Sequence, residues 1–157
     1  METGKNELDP LRLENQLCFP LYAASRKIVN LYTPYFKPLG ITYTQYIVLM
    51  VLWAQDGVSV RELGERLYLD SGTLTPLLKK MESSGLVRRE RAKEDERVTR
   101  IYLTEAGRDL HEKCLEIPVH LGRSLSAFSL EDARTLYDLL YRLLDAEPQC
   151  IAEEKKK

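Results

Sequence analysis

Three cysteines and two histidines have the widest chemical reach in this 157-residue sequence: Cys18, Cys114, Cys150, His111 and His120. A thiolate attacks peroxides, exchanges with disulfides or ligates a metal, whereas a buried neutral thiol is an inert small hydrophobe. The cysteines are odd in number, far apart and without a CxxC pair, which speaks against a disulfide framework. His111 and Cys114 share a helix face, but zinc takes three or four ligands, so the pair reads as helix surface or core; no metal and no cofactor is assigned. Cys18 stands apart. In "QLCFPLY", residues 16–22, it lies between apolar neighbours with Pro20 two positions on, and packing, ligation, disulfide formation and reactivity all remain open for it on residue type.

The second chemical group is cationic. Between Ser71 and Arg100 eight basic residues meet five acidic ones, a local +3 in a chain of net charge -1. That segregation suits a nucleic-acid face on an otherwise acidic body, and equally a solvated charged hairpin. With 44% apolar and 30% charged residues the chain is a globular domain long enough to bury a core. No window approaches eighteen apolar residues, and METGKNELDP lacks a signal-peptide core, so the expected setting is the cytoplasm with no membrane association.

The elements that must position these groups are mostly helical. Asp9-Pro10 reads as a cap with proline at the first helical position, opening a segment to about Lys37 with breaks or kinks at Pro20 and Pro34. Pro20 admits two readings: either it lies in a first turn, which puts Cys18 near a helix N-terminus whose dipole favours the thiolate, or it kinks a helix already begun at Asp9. Thr42 to Gln45 fits a capping box ahead of the apolar run YIVLMVLWAQ, with Ile41 able to staple onto Tyr46. Ser59 to Glu62 repeats the device for a short helix over about Val60 to Leu67. After Tyr68-Leu69-Asp70 comes SGTLTPLLKKMESSG, capped by Ser71 or, to keep Pro76 in the first turn, by Thr73, and closed by Gly85. LVRRER and VTRIYL read as a hairpin around a charged tip, with Thr99, Ile101 and Leu103 facing inward. Leu110, Cys114, Ile117, Leu121 and Leu125 predict one long helix, bent at Pro118, and Ser129 with Asp132 caps a last one.

Helix, three-residue turn, helix and basic hairpin in that order is a winged helix-turn-helix. Ser71, Thr73, Thr75, Lys79 and Lys80 are suited to phosphates and base edges of double-stranded DNA in the major groove, and Arg97 to the minor groove. One such module reads few base pairs, so a homodimer on an inverted repeat is expected, built by long helices at about 9–40 and 104–147 around a reading lobe at about 42–103. The fold class is therefore mainly α with a small β-hairpin wing.

The stretch "LGERLYLDSGTLTPLLKKMESSGLVRRERAKEDERVTRIYLTEAG", with Asp95 and Arg97 as its Asp-x-Arg wing, resembles the MarR family of dimeric winged-helix repressors. Within it "LCFPLYAASR", "ITYTQY" and "LDSGTLTPLLK" resemble OhrR-type organic hydroperoxide regulators and the related SarZ and MgrA types. The resemblance spans about residues 14 to 120. It implies a repressor, not an enzyme, that leaves its operator when an organic hydroperoxide oxidises Cys18. It also implies that Tyr32 and Tyr43 from across the dimer hydrogen-bond the thiolate, with Phe19 in the same pocket, and that a small cellular thiol caps the sulfenic acid. Cys114 reads as packing, and Cys150, in the terminal tail, stays open as a resolving thiol or a residue with no assigned role. The rival readings are a MarR-type repressor released by a small aromatic ligand, a peroxidase, and a helical interaction protein without a DNA target.

Overall fold

The computed structural model describes residues 9–124 and 129–146. Leu125, on the apolar stripe predicted for the long helix, and Cys150 lie outside the described residues.

The expected helix from Asp9 does not form. Asp9 turns its carboxylate to the amide of Leu11 at 2.9 Å, a single 3₁₀ turn follows at Leu13–Asn15, and helix α1 runs from Cys18–Phe36. Pro20 is thus in a first turn, where an amide hydrogen would have no helical partner, and the kinked alternative is overturned. Asp9-Pro10 imitates a helix start because the same side-chain-to-amide bond closes an isolated turn.

Helix α2 (Tyr43–Ala54) carries both arms of its capping box: Thr42 accepts the amide of Gln45, and Gln45 accepts that of Thr42. Ile41 and Tyr46, the expected staple, are both buried. At α3 (Val60–Leu67) Ser59 accepts the amide of Glu62 at 3.1 Å, while the Glu62 carboxylate pairs with Arg66 one turn on. The turn to α4 (Ser71–Ser83) passes through Tyr68 in the left-handed region (φ 53°). It is tight enough that a Cβ on Gly64 would stand 2.7 Å from the carbonyl oxygen of Leu69.

Neither Ser71 nor Thr73 caps α4. Asp70 does, accepting the amide of Thr73 at 2.8 Å, so Pro76 lies inside the helix and cannot donate to the carbonyl of Gly72. Gly85 (φ 71°) closes α4, with its amide on the carbonyl of Glu82 and that of Leu86 on Met81, a Schellman arrangement in which Met81 and Leu86 are both buried.

The wing comprises β2 (Val87–Arg91) and β3 (Thr99–Leu103), registered with Val87 opposite Leu103 and Arg91 opposite Thr99. A third strand, β1 (Val58–Ser59), pairs with the other edge of β3 and was not expected; two residues show no periodicity. Ile101 and Leu103 face the core as expected, and Thr99 is half-buried. Leu49, Leu52, Leu63, Leu74, Leu78, Met81 and Ile101 close the core between α2, α3, α4 and the sheet.

The predicted long helix is broken. Helix α5 (Glu105–Cys114) ends, and α6 (Ile117–Ser124) begins with Pro118 in its first turn. Proline denies the carbonyl of Cys114 its donor, so the bend becomes an interruption. Leu110, Cys114, Ile117 and Leu121 remain on one buried stripe. The start of α5 is held by two side chains, one of which also holds the end of β3. Trp53 Nε1 donates to the carbonyl of Gly107 at 2.9 Å, Arg108 pairs with Asp56 at 3.0 Å, and Asp56 also accepts the amide of Leu103. Helix α7 (Leu130–Leu144) has the complete Ser129–Asp132 capping box, as expected. Among the described residues no helix is long and apolar enough to cross a membrane.

Candidate DNA-binding surface and thiol site

Every side chain assigned to DNA is exposed: Ser71, Thr73, Thr75, Lys79 and Lys80 on α4, Asp95 and Arg97 at the wing tip. Their duties differ. Thr73 gives its amide to Asp70 and its hydroxyl to the same carboxylate at 3.1 Å, so it holds the helix start. Those bonds keep the Asp70 carboxyl below the usual carboxylate range, led by the amide of Thr73. Asp95 accepts the amide of Arg97 at 2.9 Å, and its carbonyl accepts Val98, so Asp95 shapes the turn that presents Arg97. Ser71, Thr75, Lys79, Lys80 and Arg97 remain the groups facing outward.

Two cations on this side were not singled out from the sequence. Arg61 opens α3, and Arg89 lies on β2 on the same side as buried Val87. Alternation along VRRER separates Arg89 from Arg88 and Glu90 once Val87 is known to face inward, which is the signal that would have found it.

Cys18 is the first residue of α1 and is exposed; its Sγ lies 3.8 Å from Gln16 Oε1. Phe19 and Leu17 beside it are exposed as well. Tyr32 and Tyr43 lie together elsewhere, their rings 4.9 Å apart and edge-on, against Phe36 and Tyr46. Burial raises the pKa of both phenols, helped for Tyr32 by Tyr43, and burial first among several causes pushes Tyr46 up to about 12. They are therefore neutral O–H donors at physiological pH. The structure thus unites Tyr32 with Tyr43 but not with the thiol of the same chain. Tyr32 is four turns along the same helix from Cys18, roughly 21 Å at 1.5 Å per residue.

Cys114 is buried, and burial pushes its thiol up, in keeping with a packing role. His111 sets its ring edge-on to Trp53 at 5.2 Å. Among the described residues no three of His, Cys, Asp and Glu are grouped to hold a metal ion.

Residues 30–114 match the family model for transcriptional regulator SarA/Rot. The chain is 51% identical over 142 residues to the organic hydroperoxide resistance transcriptional regulator of Bacillus subtilis, covering 90% of this chain and 95% of that one. It is also 49% identical to the transcriptional regulator SarZ of Staphylococcus epidermidis, over 81% of this chain and 86% of that one. Among solved structures it is similar to reduced AbfR bound to DNA (TM-score 0.71, 38% identity, 85% of this chain and 91% of that one), a protein also solved in overoxidised and disulfide forms. It is similar as well to a mutant of MarR from E. coli complexed with operator DNA (TM-score 0.75, 27% identity, 82% of this chain and 93% of that one).

Proposed function

The chain belongs to the MarR-type winged-helix transcriptional regulators, in the group of SarA/Rot and organic hydroperoxide resistance regulators, and on that premise we propose a dimeric repressor that releases its operator when Cys18 is oxidised. The observation that carries the reading is the exposed Cys18 thiol at the first residue of α1 in a relative of organic hydroperoxide resistance regulators. An exposed thiol stands at one end of α1, and a pair of neutral, half-buried phenols at the other. The length of α1 keeps Tyr32 from the Cys18 of its own chain, so in this proposal the thiol meets the phenols of a partner chain whose α1 runs in the opposite direction.

The chemistry follows from those groups. The Cys18 thiolate attacks one peroxide oxygen, the O–O bond breaks, and the alkoxide leaves as the alcohol after taking a proton. Sulfur is oxidised by two electrons to sulfenic acid and the hydroperoxide is reduced to an alcohol. Phenol donors from Tyr32 and Tyr43 stabilise the attacking anion, and Phe19 and Leu17 provide an apolar approach that favours alkyl over hydrogen peroxide. A small thiol then condenses with the sulfenic acid, forming an S–S bond and releasing water. On DNA, α4 lies in the major groove with Thr75, Lys79 and Lys80 outward while Arg97 enters the minor groove. The relatives are transcriptional regulators, and one oxidation per regulatory event is assigned here rather than turnover. As a regulator of DNA the protein acts in the cytoplasm.

The test is chemical. After one equivalent of cumene hydroperoxide, a sulfenic-acid-trapping dione adds its mass to the Cys18 peptide and leaves Cys114 unmodified. Modification of Cys114 with Cys18 untouched contradicts the assignment.

A further inference from the structure

Between the start of α3, the middle of α4 and the wing lies a cleft of about 390 Å³ whose lining includes Ser59, Arg61, Thr75, Arg89, Arg97 and Thr99. Three arginines and no carboxylate line it. The acids nearest by are committed at its edges. Glu65 holds Arg61 Nε at 2.9 Å on the exposed face of α3. Glu82 accepts the backbone amide of Arg89 at 3.0 Å and keeps a loose 3.9 Å approach to its Nη1. Arg89 Nε is buried and has no hydrogen-bond partner. A charged N–H withdrawn from water without an acceptor is costly, and Arg97 on the same cleft adds a like charge, until an anion arrives.

The position says which anion. A protein with a helix in the major groove and a wing in the adjacent minor groove must straddle the strand that separates them, and this cleft lies between the two. We infer that it seats one backbone phosphate of the operator per protomer, with the buried Nε of half-buried Arg89 as the donor and Arg61 and Thr75 flanking it. The inference rests on the DNA-binding reading above and adds a role distinct from that of α4: this contact positions the protein without reading sequence. Glu82 is the resident competitor, a weak partner that yields Arg89 to a closer anion.

The test uses the full-length reduced protein on its own upstream inverted repeat and on an unrelated duplex of equal length, across a salt series. Arg89→Gln weakens binding about tenfold on both duplexes alike. It also makes the slope of log affinity against log salt shallower by about 2 per dimer, one released counterion for each lost phosphate contact. The variant melts close to wild type, because it loses only the loose 3.9 Å pair with Glu82 and keeps the backbone amide bond to it. Glu82→Gln keeps an acceptor for the Arg89 amide but frees the guanidinium, and tightens binding two- to fivefold. A methylphosphonate placed at the seated phosphate weakens wild type and leaves Arg89→Gln unchanged. An unaltered affinity and slope for Arg89→Gln, or weaker binding by Glu82→Gln, overturns the seat and makes the pair a structural tie. A wild-type protein that binds neither duplex overturns the DNA-binding reading itself, and the seat with it.

Discussion

Tyr32 and Tyr43 are half-buried, and loss of water raises the pKa of each phenol, which keeps each an O–H donor for the thiolate they are proposed to meet. A hydrogen bond to a charged group is worth about 1.5–3 kcal/mol, so Tyr32→Phe and Tyr43→Phe should each slow oxidation of Cys18 by roughly ten- to a hundredfold. Operator affinity of the reduced protein should be unchanged; stopped-flow thiol loss and DNA binding measured side by side check both halves. Tyr46 makes a pH-dependent statement. Its folded pKa is raised to about 12 by burial, with Tyr32, Cys114 and Tyr43 adding to the shift. The stability linked to it is therefore fully present below pH 10 and lost as pH rises through 12. Tyr46→Phe should flatten that alkaline fall in a denaturation series, and an unchanged fall contradicts the assignment. Cys18 was legible in the sequence as a candidate because its neighbours are distinctive. Arg89 was not, because which of several adjacent cations faces inward is decided by strand register.

The elements were legible where a side chain closes a helix end and opaque where two uses of the same residues compete. Thr42, Ser59, Gly85 and Ser129 do what their types predict. Asp9-Pro10 closes a turn instead of opening a helix, and Asp70 displaces Ser71 and Thr73 as the cap of α4. The two-residue β1 is visible only through its partner β3. Thr42→Ala removes one arm of a complete box and should cost about 1 kcal/mol in denaturant unfolding. Gly107 is more demanding. A Cβ there would stand 2.2 Å from the carbonyl oxygen of Leu86, a backbone atom, at the point where α5 is tied to the reading lobe. Gly107→Ala should destabilise by more than about 2 kcal/mol, beyond the usual effect of a single substitution. A melting temperature within a degree of wild type would contradict that close approach.

At the scale of the whole molecule, apolar surface is left outside the reading lobe's core. Leu11, Leu17, Phe19 and Tyr22 are exposed around the start of α1, as are Tyr137, Leu139, Leu143 and others along α7. Such side chains are what the proposed dimer covers, so thermal stability should rise with protein concentration and sedimentation should give twice the 18.2 kDa chain mass. A melting temperature independent of concentration would speak for a monomer and against a thiol held by the partner's phenols. The charge pattern was legible as a DNA face from the order of elements, and the length of α1 adds that Cys18 and Tyr32 of one chain stand four turns apart. The most direct measurement is operator release followed by fluorescence anisotropy. The reduced protein is bound to its own upstream inverted repeat and titrated with cumene hydroperoxide in the presence of a small thiol. The account predicts release of wild type near one equivalent per Cys18 and retention of Cys18→Ser across the same range; release of both alike would contradict it.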